Sequence, residues 1–251
     1  MTYDSSRGPT WYLGATVRVV VGGDDPTTFS VHESVICEAS DYFRMAFNGP
    51  WIEAEERKMV LRGVEASIFN LYLNFLYRGE MTLQRQDPMD SGDMFVKLAK
   101  LYVLGDMIQD AKVKGAALDT MAKNVDCRTV VHDRALVPAL KASGPVVRII
   151  YENTVETSAA RRLLLDIYQE FAGYKWRSEP DGSVPSAPSE FLSELSGRML
   201  EVYAPWRDHD NSRMCFAWPC RYHEHDPDLA PVCTMRYDYY DEGSTWGRRS
   251  G

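Results

Sequence analysis

The sequence lacks both an amino-terminal leader and a long apolar segment. Residues 1–7 (MTYDSSR) contain no apolar stretch of the kind found in a secretory signal. No uncharged apolar run approaches the ~18 residues that are needed to cross a bilayer. The 17 glycines and 13 prolines are ordinary in number, which excludes a collagen-like or low-complexity chain. We therefore expect an intracellular protein, in the cytoplasm or the nucleus, with no membrane partner.

The chain also lacks an excess of basic residues. Its 28 lysines and arginines face 36 aspartates and glutamates, so the net charge at pH 7 is −8. A phosphate polymer would be repelled on average, and nucleic-acid binding would need a locally basic surface. The last stretch, 205–251, contains six arginines and eight acidic residues. We therefore expect no nucleic-acid partner.

What the chain does contain is enough apolar sequence for a real core. It has 251 residues, 45% of them apolar, so the main fold needs neither a disulfide nor a metal. Composition predicts a polar, flexible arm at 1–15 and a densely periodic region at 16–123. A helical extension is predicted at 124–204, with a loop at 177–189 where glycine and prolines interrupt the helical pattern. Residues 205–251 form a tail rich in aromatic residues, cysteine and histidine.

The periodic region alternates short strands with helices. β-branched or alternating residues predict strands at 17–21, 29–32 and 58–61, the first two forming a hairpin. Apolar residues at helical spacing predict helices at 33–39, 41–47, 65–77, 93–104 and 107–123. Ser40 is expected to cap the second helix, and the Asn48-Gly49 pair to end it in the left-handed conformation. Gly79 is expected to end the helix predicted at 65–77. The order predicts an α+β, helix-dominated fold and excludes a parallel doubly wound sheet.

Five segments carry a more specific signal. They are VRVVVGGDDPTTFSVHESVIC, SDYFRMAF, KMVL, IFNLYLNFLYRGEM and LAKLYVLGDMIQDAKVKGAAL, and they lie within 16–123. In this order and spacing they resemble the BTB/POZ domain, which implies a small three-stranded sheet with helical hairpins. The continuation VVRIIYENTVETSAARRLLLDIYQEFAGYKW, followed by PSEFLSELSGRML, resembles the helical extension of fungal BTB-domain proteins.

The resemblance implies a protein–protein interaction module without catalysis. Many BTB domains bridge a bound substrate to a cullin-type ubiquitin ligase scaffold. The family's scaffold contact includes a short apolar-x-Glu motif in the loop before the third strand, and Trp51-Ile52-Glu53 occupies that register here. An exposed aromatic side chain can fill a partner pocket while the carboxylate sets the orientation. The alternative interpretation is that Trp51 covers the local core and that Glu53 belongs to a solvated run of charges.

Self-association is a second property that the resemblance implies. Classical dimeric members begin with an additional helix and strand that are swapped across a twofold axis. About 15 residues precede Val17 here, and Gly8, Pro9 and Gly14 disfavour a helix among them. We therefore expect a monomer or a smaller symmetric contact in place of a swapped dimer.

The tail contains a cluster of potential metal ligands. The five cysteines of the chain are odd in number and, without a leader, are expected to be reduced thiols. Thiolates and neutral imidazoles are ligands that zinc prefers, and four could surround one tetrahedral ion. The best set is Cys220, His223, His225 and Cys233, with Cys215 as the alternate ligand. The spacing is not that of a standard zinc finger. The alternative interpretation is that the cluster binds no metal and that Cys215 is a small buried hydrophobic residue.

No motif in the sequence predicts an enzyme. We find no nucleophile–base set, paired-carboxylate motif or cofactor fingerprint, and the only candidate cofactor is the structural zinc. His32 is interpreted as a structural histidine, and Cys37 and Cys127 as inert packing thiols. The leading interpretation is an interaction module, in its specific form an adaptor for a cullin-type ubiquitin ligase. The alternative is a transcription-associated protein with a zinc-stabilised carboxyl-terminal tail.

Overall fold

The structure is a computed structural model that describes residues 14–81, 91–125, 140, 144–171 and 187–202. Its strands are β1 (Thr16–Val21), β2 (Thr27–His32) and β3 (Lys58–Leu61). The helices preceding residue 80 are α1 (Glu33–Ala39), α2 (Asp41–Asn48), α3 (Ile52–Glu56) and α4 (Ala66–Arg78). The later helices are α5 (Ser91–Met107), α6 (Ala111–Asn124), α7 (Pro145–Asn153), α8 (Ala159–Phe171) and α9 (Ser189–Val202). Most of the predicted arm and loop, and the whole tail, lie outside the described residues.

The three strands form one mixed sheet with the order β2-β1-β3. β1 pairs antiparallel with β2, with Val17 opposite Val31, and parallel with β3, with Val19 opposite Met59. Val17, Val19 and Val21 are fully buried because alternate residues of a strand point to the same side, and this side faces the helices. The predicted α+β, helix-dominated fold class is confirmed.

The start of α2 is as predicted, but its end is not. The Ser40 hydroxyl accepts a hydrogen bond of 3.2 Å from the N–H of Phe43, as a cap should. Gly49, however, has φ −90° and ψ 179°, which is extended and not left-handed. A Cβ atom at Gly49 would lie 2.6 Å from Cδ1 of Trp51. Glycine is therefore required here for the close approach of the indole, and the left-handed stop was wrong.

Two further helix boundaries differ from the sequence prediction. The segment predicted as a loop before β3 contains the short helix α3, which ends at Arg57 in the left-handed region (φ 51°). The helix predicted to begin at Met107 begins at Ala111, because α5 continues through Met107 and Asp110 is the cap of α6. Both predicted strands of the hairpin are found, and α4 ends at Gly79 as predicted, in the left-handed conformation (φ 71°).

Asp110 joins the cap of α6 to α4. One carboxylate oxygen accepts hydrogen bonds from the N–H groups of Lys112 at 3.0 Å and Val113 at 3.1 Å. The other accepts a hydrogen bond of 3.1 Å from the hydroxyl of Tyr72. The Tyr72 and Asp110 side chains are buried, so these three hydrogen bonds join α4 to the start of α6 inside the core.

The helices of the extension share a continuous core with the first domain. Buried residues of α7 and α8 join the same hydrophobic cluster as the sheet and α5, and α7 packs on α5. Phe191 brings α9 into this cluster. Among the described helices, none combines the length and the apolar character that a membrane crossing requires.

Candidate partner-binding surface

Three large apolar side chains are exposed where α2 passes into α3. Met45 on α2 is 54% exposed, Trp51 is 58% exposed and Ile52, the first residue of α3, is 64% exposed. A Cβ atom at Gly49 would lie within 2.7 Å of both the Met45 carbonyl oxygen and the Trp51 ring. The indole therefore lies beside the α2 backbone at Met45. We call Met45, Trp51 and Ile52 the apolar patch.

Arg57 holds α3, and with it the apolar patch, in place. Its guanidinium donates a hydrogen bond of 3.2 Å to the carbonyl oxygen of Phe47 at the end of α2 and forms an ion pair with Glu33 at the start of α1. Its own carbonyl oxygen accepts a hydrogen bond of 2.9 Å from the N–H of Arg18 in β1. α3 is consequently tied to two helices and to the sheet.

Carboxylates surround the apolar patch on the α3 side. Glu53 is half-buried, whereas Glu55 and Glu56 are exposed. On the α2 side, Asp41 and Arg44 form an exposed ion pair of 2.8 Å. Large apolar side chains bordered by charges are the composition of a protein-binding hot spot with its polar rim. The surface thus has the chemistry to bind a protein.

The three predicted residues are consecutive in the chain, and the structure adds an exposed neighbour, Met45, that the sequence prediction missed. Trp51, Ile52 and Glu53 lie at the start of a helix and not in a loop. The ring of Trp51 packs over Gly49, as the core-covering alternative requires, yet more than half of the side chain is exposed. The sequence does contain a signal for Met45. It lies two residues after the buried Phe43, and residues two apart in a helix point to opposite sides, so Met45 is expected to be exposed.

Two other predicted residues have the structural roles that were assigned to them. His32 Nδ1 lies 2.9 Å from the hydroxyl oxygen of Tyr77, which also accepts a hydrogen bond of 3.1 Å from the His32 N–H. Cys37 is buried, and this burial raises the pKa of its thiol, with a further contribution from Glu33. A thiol held protonated is a poor nucleophile and a poor metal ligand. Cys127 lies outside the described residues.

The predicted zinc ligands Cys215, Cys220, His223, His225 and Cys233 lie outside the described residues, and the zinc site stays a prediction. Within the part of the chain that the structure describes, no group of three or more histidine, cysteine or acidic side chains is placed to hold a metal ion.

The family comparison agrees with the mixed sheet and its helices. Residues 14–113 match the family model described as BTB/POZ domain. These residues form a BTB/POZ domain. A BTB/POZ domain is a protein-interaction domain and binds other proteins, so residues 14–113 are an interaction module. Residues 114–251 lie beyond the matched range, and the likeness of the extension to fungal proteins stays a prediction.

Relatives of the BTB/POZ domain occur in longer proteins. The chain is 26% identical over 114 residues to Kelch repeat and BTB domain-containing protein 7 of Homo sapiens, covering 44% of this chain and 15% of that protein. It is 30% identical over 97 residues to protein 4 of the same series from Pongo abelii, covering 39% and 16%. Protein 8 from Danio rerio is 35% identical over 65 residues, covering 26% and 11%. The chain thus spans less than a fifth of the length of each.

Proposed function

We propose that this protein is an adaptor whose BTB/POZ domain docks a cullin-type ubiquitin ligase scaffold through the apolar patch and Glu53. The observation that carries the proposal is the exposure of Trp51 and Ile52, 58% and 64%, beside a helix whose end Arg57 joins to α1 and α2. The position of these residues before β3 corresponds to the scaffold contact that the family resemblance implies.

The energetics favour a partner for the apolar patch. Fully burying a large apolar side chain is worth about 1.5–3 kcal/mol. Three such side chains, each about half exposed, therefore provide a few of the roughly 8 kcal/mol that a micromolar complex requires. The contacts of Arg57 with α1 and α2 lower the ordering cost of binding, because the backbone that carries these side chains is already folded before a partner arrives.

The carboxylate of Glu53 provides direction. It lies one residue after Ile52 and is half-buried. A basic side chain or a main-chain N–H group of the partner would therefore contact it at the edge of the apolar contact. Charge at the edge of an interface changes the association rate and the choice of partner more than the affinity itself. The helical extension or the tail is then available to bind the protein that is recruited.

The test is binding of the full chain to the purified amino-terminal region of a cullin scaffold, measured by calorimetry. We expect Trp51→Ala to weaken binding by roughly tenfold or more, the usual cost of removing a central aromatic residue. Glu53→Arg should weaken it as well, mainly by slowing association, which surface plasmon resonance measures. Val155→Asp is the matched control, because Val155 is an exposed aliphatic residue in the extension, after α7.

Two results would contradict the proposal. One is wild-type affinity in both Trp51→Ala and Glu53→Arg. The other is a lower mass of these variants than of the wild-type protein in light scattering, with scaffold binding unaffected. That result would make the apolar patch a self-association surface. Circular dichroism of each variant establishes that it is folded.

A further inference from the structure

β3 forms one edge of the sheet. In the part of the chain that the structure describes, the strand order is β2-β1-β3, so β3 has a neighbouring strand on one side only. The carbonyl oxygens of Arg57 and Leu61 accept hydrogen bonds of 2.9 Å and 3.1 Å from N–H groups of residues in and just after β1. Main-chain groups alternate in direction along a strand, so the odd-numbered residues of this segment face β1. The N–H and C=O groups of Lys58 and Val60 therefore point to the open edge.

The side chains at this edge are aliphatic in the middle and basic at both ends. Val60 is 44% exposed, and Val20 lies opposite it in β1. Lys58 lies on the same side of the sheet as Val60, because alternate residues of a strand share a side. Arg62 directly follows the strand and is exposed. A strand added beside β3 would thus contact a cation, an aliphatic side chain and a second cation, in that order.

A third cation lies beside Lys58. Arg18 in β1 is the direct neighbour of Lys58 in the sheet. Its guanidinium donates a hydrogen bond of 3.5 Å to the main-chain carbonyl oxygen of Glu56, just before β3. Within the described residues, Arg18, Lys58 and Arg62 form no ion pair with a carboxylate. These cations are therefore available to carboxylates of another molecule.

The charges disfavour a second copy of the chain as the occupant of this edge. If two copies paired antiparallel about Val60, Lys58 of each copy would lie opposite Arg62 of the other. A parallel pairing would place identical cations opposite each other. Like charges directly opposite destabilise a strand pair, and lysine on an edge strand prevents self-pairing for this reason. A strand with acidic residues at the two positions would instead form two pairs of opposite charge.

A peptide fits this edge better than a phosphate polymer does. The main chain of a peptide offers both donors and acceptors to the outward groups of Lys58 and Val60. A phosphodiester chain offers acceptors alone and has no aliphatic side chain to pack on Val60. Three cations in a chain with a net charge of −8 are also a small footprint for nucleic acid.

We propose that β3 binds an acidic peptide segment of another protein as an additional antiparallel strand. An aliphatic residue of the peptide lies opposite Val60, and acidic residues two positions away on either side lie opposite Lys58 and Arg62. The recognised pattern is acidic-x-aliphatic-x-acidic. Main-chain hydrogen bonds provide the affinity and the alternate side chains provide the specificity. The site shares no residue with the apolar patch or Glu53, and the proposal does not depend on scaffold binding.

The test is binding of the labelled peptide Thr-Glu-Thr-Val-Thr-Glu-Thr to the full chain, measured by fluorescence anisotropy. We expect saturable binding in the micromolar range. Lys58→Glu combined with Arg62→Glu should weaken it by about tenfold or more, because two pairs of opposite charge become pairs of like charge. The same double variant should bind the peptide Thr-Lys-Thr-Val-Thr-Lys-Thr more tightly than the wild-type protein does.

A change in the peptide tests the added strand itself. Methylation of the main-chain nitrogen of the peptide's valine removes the N–H that donates to the Val60 carbonyl oxygen. We expect this to weaken binding by about tenfold. It requires no variant protein, so it tests the proposal even where the double variant is less stable. The matched protein control is Arg78→Glu combined with Arg148→Glu, which reverses two exposed charges on helices and should leave the affinity unchanged.

Three results would overturn the proposal. The first is the absence of saturable binding of the acidic peptide to the wild-type chain. The second is equal affinity for the N-methylated peptide, which would show attraction between charges without an added strand. The third is tighter binding of duplex DNA than of the peptide, lost in Lys58→Glu combined with Arg62→Glu, which would identify a phosphate polymer as the occupant.

Discussion

The guanidinium of Arg57 donates a hydrogen bond of 3.2 Å to the main-chain carbonyl oxygen of Phe47. This bond closes the segment 48–56, which contains the close contact at Gly49 and the exposed Trp51 and Ile52. A carbonyl at the end of a helix has no partner within the helix, and a cationic donor satisfies it well. The position of the apolar patch therefore depends on a residue that lies outside it.

Replacing Arg57 by alanine should loosen the apolar patch. Solvent screens the ion pair to Glu33, because the Arg57 side chain is 41% exposed. We therefore assign most of the loss to the bond with Phe47 and expect the free energy of unfolding to fall by about 1–2 kcal/mol. Urea unfolding measures this. Arg62→Ala removes an exposed arginine four residues after Lys58 and is the charge-matched control; equal stability of the two variants would contradict the role of Arg57.

Replacing Gly49 by alanine tests whether the position of the indole matters. The added Cβ would lie 2.5 Å from the Met45 carbonyl oxygen and 2.6 Å from Cδ1 of Trp51, so both the ring and the backbone at the end of α2 must move. We expect weaker scaffold binding, by about tenfold, although Gly49 contributes no side chain. The control is Gly63→Ala, where an added Cβ meets nothing within 4 Å. Unchanged affinity in Gly49→Ala, measured by the same calorimetry, would show that the ring orientation is irrelevant.

Asp110 should make stability depend on pH. Burial raises the pKa of its carboxyl above the usual value of 3.8, and hydrogen bonds from Val113, Tyr72 and Lys112 offset part of that effect. The folded protein then holds this proton more tightly than the unfolded chain, so its stabilising contribution is complete below pH 3.8 and is lost as the pH rises through the folded-state pKa.

Asp110→Asn removes this titration and keeps an acceptor for the helix cap. We therefore expect the stability of Asp110→Asn relative to wild type to increase between pH 4 and pH 7, measured by urea unfolding. Asp110→Ala removes the cap as well and should lose about 1–3 kcal/mol across the whole range, because the Tyr72 hydroxyl and the Val113 N–H lose their acceptor. A constant difference between wild type and Asp110→Asn would refute the assignment.

The zinc prediction for the tail is tested by elemental analysis of tag-free protein. We expect about one equivalent of zinc, reduced by Cys220→Ser and by His223→Ala, since four ligands complete a tetrahedral site. Cys37→Ala is the control, because Cys37 is buried within the first domain and should leave the metal content unchanged. A zinc content well under half an equivalent per chain in the wild-type protein would contradict the prediction.

The sequence by itself determined the fold class, the three strands, the Ser40 cap and the end of α4 at Gly79. These features depend on local chemistry: alternation along a strand, a hydroxyl before a helix, a glycine after one. The order of the segments was enough to indicate the BTB/POZ domain, and the order is visible without any contact. Trp51, Ile52 and Glu53 were identified as candidates on the same basis.

Only the tertiary structure decided how the candidate surface is built. Position 49 has no room for a Cβ atom because the Trp51 ring lies there, and α3 is held by Arg57 through contacts with Glu33 and Phe47, 24 and 10 residues away in sequence. Such contacts arise when distant segments pack, and no local pattern specifies which side chains will meet. The open edge of β3 has the same origin, since its pairing with β1 determines which of its main-chain groups point outward.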